Sequence, residues 1–331
     1  MAVSLRVSVT GSRGKSAVAR MIWAGLCGCG LRAWARITGV VPHALGPDGC
    51  RIILRPSGAH VEEMRWWLKS LPPSADAVVM ENSAVSPPLQ KLCGLWLKPQ
   101  VTVLTNLRPD HGQWGPSEPQ VLDALTDAVP PGTILVVPGP LAGSKFFTAR
   151  MASRGARLVG AEPLAGLSGF RAVNAGLALA ACQALGVERS RAELAIRGCG
   201  DGLADFALLQ VGAGQLAFAF SANDVTSTAG LFASTGWEAQ ETTVLYNHRS
   251  DRPDRLKMFE PWLRGPWKDV AVIGDRPLGS WRGKWQDVND FDGLGELVAR
   301  AGFVFGCGNA VRGLPLRFRL ATEEGRWAYG N

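Results

Sequence analysis

The sequence predicts an α/β protein of two domains, each built on a parallel sheet with helices on both faces. Three observations predict it. The chain has 331 residues, more than one hydrophobic core usually organises. Short apolar strands recur, and each ends in a loop rich in Gly, Asn or Asp. Helical stretches separate most of them, and that alternation is the pattern of parallel sheets with crossover helices. Ligands of such sheets bind outside the carboxyl ends of the strands, so functional residues are expected just after each strand.

Strands are expected at 5–10, 77–80, 101–105 and 134–137 in a first set, and at 216–220, 242–246, 270–273 and 303–305 in a second. Helices are expected at 16–26, 61–68 and 172–185. A glycine-rich stretch at 205–214 separates the two sets and divides the chain into domains 1–207 and 208–331.

Composition narrows the class. With 47% hydrophobic and 19% charged residues the chain folds rather than remaining disordered. The apolar run at 172–187 is shorter than a bilayer span and is interrupted by Asn174 and Gln183, so it reads as a buried helix. The first residues alternate like a strand, unlike a signal peptide, and a cytoplasmic location is expected. Cys27, Cys29, Cys50, Cys93, Cys182, Cys199 and Cys307 are scattered singly with no CxxC pair, which suits reduced, mostly buried thiols. The net charge of +7 suits an anionic ligand or a place at the inner face of a membrane. The basic residues are dispersed, without the runs or aromatic platforms of nucleic-acid binders.

The strongest local signal is Val7-Ser8-Val9-Thr10-Gly11-Ser12-Arg13-Gly14-Lys15-Ser16. An apolar strand enters a glycine-rich turn and a helix leaves it. Gly11 and Gly14 free backbone N–H groups, with those of Ser12 and Arg13, to face phosphate oxygens at the positive end of that helix. Lys15 would reach the outer phosphates of ATP, and the Ser16 hydroxyl would coordinate Mg²⁺. The alternative, a chance glycine turn, does not explain the strand–loop–helix context.

Other residues follow the remaining strands. Glu81 ends one and supplies a carboxylate of the kind that holds Mg²⁺. Arg249, Arg252 and Arg255 recur every third residue after another, with Asp251 and Asp254 between them. On a helix they would share one side and could clamp a carboxylate or phosphate. The plain alternative is a solvated face of internal salt bridges. Asn223 and Asp224 follow the preceding strand and are candidates for ATP ribose or substrate contacts. Trp66, Trp67, Trp96 and Trp114 read as packing residues, and His43, His60 and His248 remain unassigned.

The shortened loop Thr10-Gly11-Ser12-Arg13-Gly14-Lys15-Ser16 resembles that of Mur ligases and folylpolyglutamate synthases. Val78-Val79-Met80-Glu81-Asn82-Ser83-Ala84 is similar to the family's strand ending in a metal-binding glutamate. Leu104-Thr105-Asn106-Leu107-Arg108-Pro109-Asp110-His111 resembles its Thr-Asn and Asp-His element, and 174–180 its adenine-side helix, beginning at Asn174. Further segments at 222–228, 247–255 and 305–309 are similar to the ligase subunit of capsule-type poly-gamma-glutamate synthases. The resemblance covers nearly the whole chain.

The resemblance implies a P-loop Mur-ligase-like domain followed by a smaller Rossmann-like domain, with ATP between them. It implies His111 as ligand of a second ion, while Asp110 either orients His111 or assists with the amine proton. It also implies a carboxylate–amine ligase that uses ATP and Mg²⁺, releases ADP and phosphate, and takes glutamate or a glutamyl chain. Membrane-embedded synthase subunits are the partners it suggests, and a homo-oligomer is left open. Departures are the lack of an N-terminal anchor, of a nucleotide-sugar domain, of a lysine in 122–131 and of an arginine near Asp205-Phe206. Residues 223–228 also differ from the family's Asp-Tyr-x-His-x-Pro element. A ligase adding a single amino acid and a P-loop regulatory ATPase are the rival readings.

Overall fold

In the computed structural model, which describes residues 3–55, 58–108, 112–115, 117–222, 224–279, 283–311 and 313–330, β1 (Leu5–Thr10) is a central strand. Its alternation explains that position. Val7 and Val9 point into one apolar layer, while Ser8 faces the other side and meets the Thr102 hydroxyl at 2.8 Å. The chain leaves as α1 (Lys15–Gly28) and returns as β2 (Ala33–Ile37). The strands β3 (His43–Gly46) and β4 (Gly49–Ile52) then form an antiparallel hairpin on the sheet edge. After α2 (Glu63–Ser70), β5 (Ala77–Glu81) inserts between β2 and β1, parallel to both.

From α3 (Pro87–Leu97), which opens on two prolines that have no N–H to leave unpaired, the chain crosses to β6 (Val101–Leu104). Next come α4 (Glu118–Thr126), β7 (Ile134–Pro138), α5 (Gly139–Ala142), α6 (Lys145–Ala152) and β8 (Arg157–Ala161). The unit closes with α7 (Gly169–Ala184) and α8 (Arg189–Arg197). The strand order is β4-β3-β2-β5-β1-β6-β7-β8. The chain moves one way after β1 and the other way after β5, so a topological switch point lies at their carboxyl ends. One face packs on α1, α7 and α8, and the other on α2, α3 and α4.

The second sheet begins with an antiparallel pair, β9 (Ala207–Val211) and β10 (Gly214–Phe218). There follow α9 (Val225–Thr235), β11 (Thr242–His248), α10 (Pro253–Leu263), β12 (Asp269–Gly274) and β13 (Lys284–Trp285). The last elements are α11 (Phe291–Ala301), β14 (Phe303–Cys307) and α12 (Leu314–Glu323). The order β13-β12-β11-β14-β10-β9 is parallel except for β9, and its switch point lies at the ends of β11 and β14.

The two sheets belong to two compact units, Met1–Gly200 and Asp201–Asn331. Neither sheet is wholly parallel, because each carries antiparallel strands at one edge. Part of the glycine-rich stretch is strand β9, where Leu209 pairs with Leu216. Among the described residues, no helix is long and apolar enough to cross a membrane.

Candidate active site

The loop from β1 to α1 takes the conformation its glycines allow. Gly11 has φ +129° and Gly14 φ +78°, both in the region that disfavours a Cβ. Space forbids one at Gly11 as well. A Cβ there would stand 2.1 Å from Thr105 Oγ1. A Cβ at Gly14 would stand 2.9 Å from the Asn174 Oδ1 atom, so Asn174 of α7 lies directly against the loop.

The segment after β6 fastens the same loop. Thr105 N donates to Thr10 O at 3.0 Å, and Asn106 Nδ2 donates to Arg13 O at 3.0 Å. In return Arg13 N donates to Asn106 Oδ1 at 3.3 Å, and the Ser12 hydroxyl donates to Arg108 O. Lys15 folds back over the turn, with Nζ 2.7 Å from Gly11 O and 3.3 Å from Ser12 O. The cation therefore sits where outer phosphates would meet the loop.

The carboxyl end of β5 completes the arrangement. Glu81 is buried, and Ser16 Oγ donates to its Oε2 at 3.0 Å. Thr38 N, just past β2, donates to that same oxygen at 2.7 Å. Gly39 leaves room for the contact, since a Cβ there would lie 2.6 Å from Ser16 Oγ. A hydroxyl and a carboxylate side by side are hard oxygen donors of the kind Mg²⁺ takes, the rest of its shell coming from water and phosphate. Sequence reasoning did not assign Thr38 or Gly39 to the site. The Thr38-Gly39 pair at a strand end was the available signal, obscured because the alanine-rich strand before it was not foreseen.

In the second unit the arginines do not share one helical face. Only Arg255 lies within α10, Arg252 precedes its first residue, and Arg249 follows β11 directly. Arg249 pairs with Asp251 at 2.7 Å, and Arg252 is exposed. Arg255 Nη1 reaches the switch point and donates to Asn309 Oδ1 and, at 3.4 Å, to Gly308 O. Asn247 and Asn309 lock the ends of β11 and β14 by donating to each other's backbone carbonyls at 2.6 and 2.8 Å. His248 is buried beside them and its Nδ1 has no hydrogen-bond partner. Burial holds its pKa below the ordinary value, against the opposing charge of Asp275. Asp224 caps α9 through Ser227 N at 2.7 Å. Asp110, His111 and Asn223 lie outside the described residues.

The glycine loop at the head of α1 and the serine paired with a strand-end carboxylate form the kind of site that takes a nucleoside triphosphate and its metal ion, and a second α/β unit follows. The comparisons agree. Residues 9–159 match the Mur ligase middle domain, and residues 209–323 match the poly-gamma-glutamate synthase CapB C-terminal domain. A PGA synthase CapB of Bacillus subtilis (strain 168) is 26% identical over 302 residues, covering 83% of this chain and 75% of that protein.

Among solved structures, Escherichia coli FolC in complex with ADP matches with a TM-score of 0.67 at 16% identity, covering 98% of this chain and 90% of that one. The bifunctional folylpolyglutamate synthase/dihydrofolate synthase of Yersinia pestis, complexed with AMPPNP and a Mn ion, gives 0.66 at 14%, covering 98% and 89%. At those identities the likeness is one of fold. The chain belongs to the Mur ligase family of ATP-dependent amide ligases. Within it, the protein is of the CapB type of poly-gamma-glutamate synthase.

Proposed function

We propose that the chain joins glutamate, free or at the end of a glutamyl chain, through γ-amide bonds. The use of ATP is supported by the Ser16–Glu81 contact at 3.0 Å beside the Lys15 loop, which gathers cation, hydroxyl and carboxylate where a nucleoside triphosphate would end. The glutamate substrate is supported by the similarity of residues 209–323 to the poly-gamma-glutamate synthase CapB C-terminal domain. Lys15 and the loop N–H groups bind the outer phosphates, and Asn174 lies on the nucleotide side of the loop. Ser16 and Glu81 would hold Mg²⁺, and His111 would be the ligand of a second ion. The metal supplies charge neutralisation at the phosphates.

The γ-phosphoryl group passes to an oxygen of the substrate carboxylate, and ADP departs. An amine then attacks the acyl carbon, phosphate leaves, and the nitrogen loses a proton to form the amide. Asp110 orients His111 or takes that proton. Arg255, with Arg249 and Arg252, binds the substrate carboxylate, and Asn223 and Asp224 contact ribose or substrate. Membrane-embedded synthase subunits are the partners this reading proposes.

Mass spectrometry of products from ATP, Mg²⁺ and each common amino acid tests the proposal. Successive glutamyl additions are the expected outcome. A single addition would favour the one-residue ligase, and phosphate release indifferent to every amino acid would overturn the reading.

A further inference from the structure

Arg36 stands one residue from the end of β2. The register that sets it beside Met80 puts it on the face covered by α2 and α3, opposite α1. Its side chain is 0% exposed. Nη2 donates to Glu63 Oε1, while Nε and Nη1 have no hydrogen-bond partner. Arg55 approaches the same carboxylate from the outer side, with Nε 2.6 Å from Oε2 and Nη2 2.8 Å from Oε1. Two guanidinium groups therefore share one carboxylate, and the Arg55 and Glu63 side chains are only 16% and 13% exposed.

Glu81 adds its negative charge from a distance, but the two spare donors of Arg36 still have no acceptor, which is costly. A guanidinium does not shed its proton to escape burial, and buried polar atoms are almost always partnered. A buried cation with donors to spare is stabilised by a further anion. Glu63 already demonstrates the chemistry, because it is a carboxylate held by both arginines. Burial pushes its carboxyl up, and the hydrogen bonds and charges of Arg55 and Arg36 outweigh that and hold it below the ordinary range.

We propose that Arg36 and Arg55 form a subsite for a carboxylate of the glutamyl chain, away from the reacting end. The proposal rests on the glutamate reading given above. A γ-linked chain carries a free α-carboxylate on every unit, so a site at a fixed offset from the reacting end always meets one. The offset is short: only β5 separates β2 from β1, so Arg36 stands roughly 10 Å across the sheet from the strand that carries the phosphate loop. Arg55, the more exposed of the pair, swings off Glu63 to admit the chain. Free glutamate is too short to reach the subsite from the reacting position, which makes length the distinguishing variable.

Calorimetric titration of the full chain with γ-glutamyl oligomers of increasing length, at saturating non-hydrolysable ATP analogue, tests this. Affinity is expected to rise roughly tenfold or more once an oligomer reaches the subsite. Arg36→Met and Arg55→Gln are each expected to abolish that rise, with folding checked by circular dichroism. Should Arg36→Met fail to fold, the partly exposed Arg55→Gln carries the test alone. Folded variants that keep the wild-type length dependence would overturn the subsite. Wild-type protein that binds glutamyl compounds equally at every length would overturn it while leaving the glutamate reading intact. Wild-type protein that neither binds nor ligates any glutamyl compound would overturn both.

Discussion

The carboxyl edges of the two sheets are built differently. At the first, short contacts among backbone, glycine and small polar side chains pull Gly11, Gly14, Ser16, Glu81, Thr105 and Asn174 into one place. At the second, long arginine side chains spread from a loop and a helix start, and of the three it is Arg255 that donates to the residues just past β14. A site made by backbone geometry is fixed before any ligand arrives. A site made by long charged side chains is directed by local partners, as the Arg249–Asp251 pair illustrates. The first edge should therefore be intolerant of small changes, and the second graded.

The largest expected effect is at the loop cation. Lys15→Ala should lower amine-dependent phosphate release by at least about a hundredfold, because a preorganised donor to developing charge is lost. It should also weaken nucleotide binding, and a folded variant with near-normal turnover would break the comparison at its firmest point. Next comes Gly11→Ala. Its Cβ would collide with Thr105 Oγ1 in a backbone region that disfavours it, so a loss of roughly 1–3 kcal/mol in urea denaturation should accompany loss of activity. Unchanged stability would mean that the loop is looser than its contacts imply.

A smaller, conditional effect is expected for Glu81→Gln. The amide keeps the shape but removes the charge beside Ser16, so the Mg²⁺ concentration for half-maximal rate should rise several-fold. An identical Mg²⁺ curve would place the ion elsewhere. At the second edge the account orders the arginines. Arg255→Ala should raise the KM for the carboxylate substrate more than Arg249→Ala, and Arg252→Ala, whose side chain is exposed, should change it least. The reverse order in steady-state kinetics would return Arg255 to a structural role with Asn309.

These contrasts follow what was legible in the sequence. The loop at 10–16 could be read because its function depends on glycine positions and helix entry, which are local in the chain. The strands at 5–10, 77–80 and 134–137 could be read because apolar runs between loop residues mark buried parallel strands. The strand at 33–37 was not legible. Its Ala-Trp-Ala-Arg-Ile pattern places a charge at a fully buried position, which only the later Glu63 and Arg55 make tolerable. The pairing of Ser16 with Glu81 spans 65 residues and follows from β5 inserting beside β1, a topological fact no local pattern reports. The arginine spacing misled for the opposite reason. Helical periodicity was present in the residues, but Pro253 begins α10 after two of the three arginines have passed.

The central claim is that the loop carrying Lys15 and the Ser16–Glu81 pair activate a carboxylate at the γ-phosphoryl group. The most direct measurement is the nucleotide product formed alongside hydroxamate when hydroxylamine competes with the amine, with glutamate or a glutamyl oligomer as carboxylate. The account predicts ADP and phosphate in equal amounts, each matching the sum of hydroxamate and amide formed. Stoichiometric AMP and pyrophosphate would contradict it.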